Sequence, residues 1–170
     1  MNVSEAIRKR SSVRSFLDKP IEENILHSVL EAGRLAPSAK NRQESRFIVV
    51  KDPKLRSKLA EAAKGQIFVG TAPVVLVACA FDDGYMMTCG QLSYPIDVAI
   101  ALDHISLAAV EYGLGTCWIG AFYENKVKEI LGIPKDVRVV ELMPIGYPTN
   151  QCNKEKNRLP LNEIIKQDRW

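Results

Sequence analysis

Certain short stretches of this chain combine residue types and spacings able to do chemistry. The first is "RSSVR", Arg10 to Arg14, preceded by Arg8 and Lys9. A guanidinium is a planar fork matched to phosphate oxygens, and serine hydroxyls with freed backbone N–H groups can complete an anion's shell. Arg10 and Arg14 share a face if a helix runs through them, and close on one point from two directions if it breaks at Ser12. A solvated basic helix end would read the same way. The second is "PSAKNRQ", Pro37 to Gln43. The Asn41 and Gln43 amides both donate and accept, which suits a heterocycle with carbonyls and ring nitrogens, although an ordinary loop has this composition too. In "GLGTCWIGAF", Gly113 to Phe122, glycines flank Trp118 and let backbone approach a flat ligand closely. A turn between core elements is the alternative. Lastly "KNR", Lys156 to Arg158, adds a pair of cations to a polar tail that could equally be solvated.

Acid–base groups are scarce by comparison. His27 lies in an amphipathic segment and His104, next to Asp103, in an apolar one; both read as structural, hydrogen-bonded histidines, and no Ser-His-Asp arrangement or informative carboxylate pair occurs. The cysteines Cys79, Cys89, Cys117 and Cys152 are far apart, without CxxC or histidine at ligand spacing, so zinc and thioredoxin-like chemistry are not indicated and no metal is expected. Their apolar neighbours suggest buried, reduced thiols. Holders of phosphate and heterocycle without acid–base partners imply that a cofactor performs the chemistry.

The elements that must position these groups follow from periodicity. At 170 residues, 46 % hydrophobic and 25 % charged, the chain is expected to fold as one domain with a real core. A net charge of +3, with cations and acids alternating outside the opening stretch, argues against nucleic acid. No apolar run approaching the roughly 20 residues of a bilayer span is expected, nor a signal peptide, so a cytoplasmic protein without a membrane partner is anticipated. Val3 to Lys9 predicts a short helix with Ser4 as N-cap. A longer helix follows Glu22 and Glu23, with Ile25, Leu26, Val29, Leu30 and Gly33 as its buried stripe and Pro37 as its stop. "RFIVV" predicts a strand, "PKLRSKLAEAAKG" a helix ending at Gly65, and "APVVLVACAF" a buried strand. After the loop "DDGYMMTCG", Pro95 to Tyr112 predicts a long helix apolar nearly all round, as befits a central element. "ENKVKEILGIP" predicts a helix with Val127, Ile130 and Leu131 inward, and "VRVVELMPIG" a third strand. The tail 151–170 is too polar for a core of its own and is expected to pack on something else, such as a second chain. Neither GxGxxG after the first strand nor GxxxxGK[ST] occurs, so a phosphate must be held by side chains.

Taken in order, the motifs resemble the FMN-dependent nitroreductase family along nearly the whole chain. "RSSVR" matches its R-R-S-x-R, "PSAKNRQ" its P-S-x-x-N-x-Q, "GLGTCWIG" its G-L-G-T-C-W-I-G, "PIGYP" its P-x-G-x-P, and "KNRLPLNE" its closing K-x-R with a proline and an acid. The resemblance implies an α+β fold, a small, mostly antiparallel sheet flanked by helices, in an intertwined homodimer with FMN at each interface. The tail would reach across to the partner, and the long apolar helix would be covered by it. Arg10, Ser11, Ser12 and Arg14 would bind the phosphate, ribityl chain and nearby ring edge, with Lys156 and Arg158 completing the charge clamp. Pro37, Ser38, Ala39 and Asn41 would contact the flavin from the opposite subunit. Trp118, Ile119, Gly120 and Ala121 would lie by the isoalloxazine, a backbone N–H directed at N5, and Gln66 would meet the pyrimidine edge. No side chain is implied as catalytic. NADH or NADPH would reduce the flavin, then give way to a nitroaromatic, quinone or similar small acceptor in a ping-pong cycle. Related reactions (dehalogenation, flavin fragmentation, dehydrogenation) or flavin binding without turnover are the alternatives. The sequence departs from the pattern at Ser11, where a second Arg or His is usual, at "ESRF", where Pro-Trp is usual, and in its short 82–94 segment, which suggests a more open pocket.

Overall fold

The computed structural model describes residues 1–150 and 156–170; residues 151–155 of the expected tail, with Cys152, lie outside the described residues. A four-stranded sheet carries the chain, built from β1 (Ser45–Val50), β2 (Val74–Phe81), β3 (Gly115–Thr116) and β4 (Val137–Gly146) in the order β1-β2-β4-β3. Every pairing is antiparallel. Helices cover both faces, so β2 is buried along its length except at Phe81. This explains why its sequence is a continuous apolar run rather than an alternation.

On one face lie α2 (Glu23–Arg34) and α5 (Ser93–Glu111), whose Leu26, Val29, Val98, Leu102 and Ile105 pack with Leu76, Ala78 and Met143 of the sheet. Gly33 lets these helices approach closely: a Cβ there would stand 2.6 Å from Ile105 Cδ1. The other face is covered by α3 (Pro53–Ala62), α4 (Ile67–Thr71) and α6 (Glu124–Leu131), with Leu59, Val69 and Val127 against Val75, Val77 and Leu142. Of the expected inward set on α6, Val127 is fully buried, while Ile130 and Leu131 pack at the edge of this cluster. α1 (Val3–Lys9) packs on α5, and α7 (Leu161–Ile164) closes the chain with its residues exposed.

Certain sequence expectations need correction. The N-cap of α1 is Asn2, not Ser4: Asn2 accepts the Glu5 N–H at 2.9 Å and Glu5 accepts the Asn2 N–H at 3.0 Å, a reciprocal capping box. α4, β3 and α7 have no counterpart in the sequence reading. Cys79 and Cys117 are buried, with burial pushing the Cys79 thiol up to about 11, but Cys89 is exposed. By length and composition alone α5, 19 residues at mean hydropathy 1.2, could also cross a membrane, contrary to the expectation of no such run. Half of it is buried inside the protein, as in a core helix.

α5 nevertheless keeps an uncovered apolar strip. Pro95, Ile96, Ala99 and Ile100 border a shallow surface hollow of about 480 Å³ that ends at Asp103 and His104. This is why the helix shows no polar face although it is not enclosed by its own chain.

Candidate functional site

The chain leaves α1 at Arg10 and runs extended, with Ser12 bridged to Thr116 in parallel and the Val13 N–H donating to the Thr116 carbonyl at 2.9 Å. The helix therefore ends before Ser12. Gly115 makes the pairing possible, since a Cβ there would lie 2.8 Å from Val13 Cβ. Arg10, Ser11 and Val13 line a hollow of about 500 Å³ whose wall includes Leu114, Gly115 and Thr116. Ser12 and Arg14 turn instead toward Cys117, where burial raises the thiol's pKa and Arg14, Ser12 and Arg10 act against it. The Arg14 guanidinium lies 6.0 Å from the Phe68 ring centre.

Cations from the far end of the chain arrive at the same place. Lys156 Nζ donates to the Ile7 carbonyl on α1. Its pKa is lowered, first by burial and then by the charges of Arg10 and Arg158, so both arginines lie near Lys156. None of Arg10, Arg14, Lys156 and Arg158 has an ion-pair partner among the described residues. The carboxylate in the wall of the hollow beside Arg10, Glu111, is paired with the Met1 ammonium at 3.2 Å, and forked and point-like cationic donors of this kind suit a phosphate.

Beyond Cys117 the chain passes Trp118, packed against the α5-side core, and Ile119, which pairs with Leu142 through N–H to carbonyl bonds of 2.9 and 3.2 Å. Gly120 and Ala121 then emerge exposed. Gln66 Nε2 donates to the carbonyls of Ala63, at 2.9 Å, and Ala121, at 3.3 Å, tying the α3–α4 turn to this segment. Arg10, Ser12, Arg14, Gln66, Ile119, Gly120, Ala121, Lys156 and Arg158 thus belong to one neighbourhood. Of these only Arg10 lines the 500 Å³ hollow; Ser12, Arg14, Gly120 and Ala121 are exposed outside it.

Pro37, Ser38, Ala39 and Asn41 are elsewhere. The Ala39 N–H donates to Asp97 Oδ1 at 3.0 Å, near the N-terminal end of α5, whereas the hollow beside Arg10 reaches Val110 and Glu111 at its C-terminal end. At 1.5 Å rise per residue these anchor points are about 20 Å apart along the helix. The loop itself is strained: Lys40, Asn41 and Gln43 hold φ of 52°, 56° and 54°, the left-handed region that side chains disfavour. Ser38 Oγ accepts the Gln43 N–H at 3.0 Å and helps fix it. Arg42 pairs with Glu44 at 2.7 Å and with Asp83, and stacks on Tyr85 with its guanidinium 4.5 Å from the ring centre. These contacts pin the short 82–94 segment to the loop.

Sequence reading missed two polar groups beside these motifs, Asp97 and Glu141. Each has a buried oxygen without a hydrogen-bond partner, Asp97 Oδ2 and Glu141 Oε1. Burial pushes Glu141 up to about 7, opposed by the Ile119 amide. The available signal was an acid inside an otherwise apolar helix or strand, which is costly unless it is used.

Known proteins share this architecture and motif order. The family model described as the nitroreductase family matches residues 7–147. An FMN reductase [NAD(P)H] of Bacillus subtilis is 32 % identical, the alignment covering 99 % of this chain and 74 % of that protein. A nitroreductase family protein from Clostridium novyi superposes with a TM-score of 0.84 at 39 % identity, over 91 % of this chain and 89 % of that one. An NADPH:FMN oxidoreductase from Vibrio harveyi, solved in complex with NAD+, reaches a TM-score of 0.90 at 28 % identity, over 100 % of this chain and 78 % of the other. A small antiparallel sheet covered by helices on both faces defines an α+β fold, which these proteins share. The chain belongs to the nitroreductase family.

Proposed function

We propose that this protein passes electrons from NADH or NADPH to a nitroaromatic, quinone or similar small acceptor, donor and acceptor using the same cleft in turn, in a cytoplasmic homodimer. Membership of the family makes it an FMN-dependent NAD(P)H oxidoreductase. The observation that carries the finer reading is the meeting of Arg10 and Arg158 at Lys156, from distant parts of the chain, with no ion pair to a carboxylate among the described residues.

The residues present fit FMN. Arg10, Ser12, Arg14, Lys156 and Arg158 would hold the phosphate dianion, each charge-assisted contact contributing about 1.5–3 kcal/mol. Ser11 lines the hollow from which Ser12 and Arg14 turn away, so its side chain stands apart from this group. Gln66, Trp118, Ile119, Gly120 and Ala121 would flank the ring. Gly120 is exposed, so its backbone is open to a flat ligand. Bound FMN supplies two-electron hydride chemistry at N5; the side chains anchor and orient it.

Two features argue for a second copy. Ser12, Arg14, Gly120 and Ala121 are exposed, and the loop of Pro37, Ser38, Ala39 and Asn41 is anchored at Asp97, about 20 Å along α5 from the Glu111 end at the hollow beside Arg10. Contact of both groups with one flavin is therefore met by the loop of a partner. The apolar strip at Pro95, Ile96, Ala99 and Ile100 is the surface such a partner would bury. The described tail residues 157–170 are exposed and include Leu159, Leu161, Ile164, Ile165 and Trp170, suited to crossing onto that partner.

The visible spectrum of the purified protein tests the reading. Oxidised-flavin absorbance that bleaches on adding NADH or NADPH and returns on adding a quinone is expected. A colourless protein that refuses added FMN would overturn it.

A further inference from the structure

From Val139 to Gly146, β4 is apolar except at Glu141. A bulge precedes that residue: Glu141 pairs with Ala78 and Val139 with Cys79, leaving Val140 extra on its strand. Because of it Val139 and Leu142, three apart, both enter the core under α6, and the alternation that would fix where residue 141 points is reset. Bulges of this kind re-aim side chains next to working sites.

Glu141 is re-aimed at Gly120. Its Oε2 and Oε1 stand 3.8 and 3.9 Å from where a Cβ on Gly120 would be. Any other residue at 120 would place a side chain against the carboxyl group; glycine leaves it uncovered from that side. A flat ligand against the Gly120–Ala121 backbone therefore meets the carboxyl group of Glu141. Oε1 is buried with no hydrogen-bond partner, and Glu141 makes no ion pair among the described residues. Among the described residues the Cys117 thiol is a titratable neighbour, with Arg10 and Arg14 also acting on Cys117. Ala78, opposite on β2, brings no charge. Burial outweighs the Ile119 amide, so the group titrates near pH 7 instead of in the usual carboxylate range.

We propose that Glu141 holds a proton at the edge of the bound flavin, so that FMN binding above neutral pH is coupled to uptake of one proton by this carboxyl group. The inference rests on the reading of Ile119–Ala121 as the ring-side segment. An ionised Glu141 would meet the electron-rich ring edge as an unsolvated charge, whereas the protonated acid can donate a hydrogen bond to a ring acceptor. The proton comes from solvent, and no bond to the flavin forms or breaks.

Linkage sets the test. In the flavin-stripped protein Glu141 is protonated below about pH 7, where affinity is independent of this group. Above that the apo form loses the proton that the complex retains, so affinity falls by about tenfold per pH unit. FMN is titrated into wild type and Glu141→Gln from about pH 6 to pH 9, and the ratio of their dissociation constants is read so that titrations common to both cancel. The expected ratio is level below pH 7 and grows about tenfold per unit above it. Calorimetry of wild type alone, in buffers of different ionisation enthalpy at about pH 8, is expected to report uptake of close to one proton. A level ratio throughout, or no proton uptake, would overturn the role of Glu141 while leaving FMN binding intact. Failure of wild type to bind FMN at any pH would overturn the flavin reading itself.

Discussion

Arg10–Arg14 and Pro37–Gln43 both carry motif residues, yet they are held in opposite ways. The first is an extended segment zipped to β3 by backbone pairing, with Val13 seated on Gly115. Its cations need only the alternation of a strand to point outward. The second is a loop with three left-handed non-glycine residues, restrained by the Asp97 carboxylate and the Ser38 hydroxyl. One segment is relaxed and offers charge; the other is strained and offers shape. Strain at a loop persists only where its surroundings over-determine it, which is why an acid is buried in α5 beneath Ala39.

The largest effect expected is from Gly115→Val, which drives a branched side chain into Val13. Overpacking of this kind costs about 3 kcal/mol, and unzipping Arg10–Arg14 from β3 should lower FMN affinity with it; chemical denaturation and flavin titration read the two losses together. Arg14→Ala separates them. Arg14 is exposed, so stability stays within error while FMN affinity drops by about 2 kcal/mol, some thirtyfold. Asp97→Ala does the reverse: losing the acceptor for the Ala39 N–H costs about 1–2 kcal/mol of stability, with a smaller loss of flavin affinity. Smallest is Lys40→Gly, which relieves a left-handed residue and raises the unfolding free energy by about 1 kcal/mol with FMN affinity unchanged. A destabilised Lys40→Gly would mean that the loop is not strained, and the contrast would fail.

How much of this was legible in sequence follows the same division. The long helices and the three longer strands announce themselves through sustained periodicity, since burial of one face dictates residue type along many positions. α4 did not: five residues make little more than one turn, and Ile67 is 77 % exposed, so composition misstates which face is inside. β3 is two residues long and exists because Gly115 and Thr116 pair with Gly146 and Ile145, a fact of tertiary contact. The capping box at Asn2 and Glu5 was readable from its spacing, but the neighbouring Ser4 resembles a cap equally well. At the site, the cations were conspicuous because charge clusters are rare. Their meeting with Lys156 was implied by the family resemblance alone, because no local pattern links residues 146 positions apart and only the fold joins them. Glu141 and Asp97 escaped notice because each lies inside an element otherwise explained by its apolar neighbours.

Affinity for FMN compared with riboflavin, which is the same ring and chain without the phosphate, tests the central claim most directly. If Arg10, Arg14, Lys156 and Arg158 hold the phosphate, FMN binds at least a hundredfold more tightly than riboflavin, and Arg14→Ala narrows the gap by lowering FMN affinity alone. Equal affinities for the two flavins would mean that these cations serve something else.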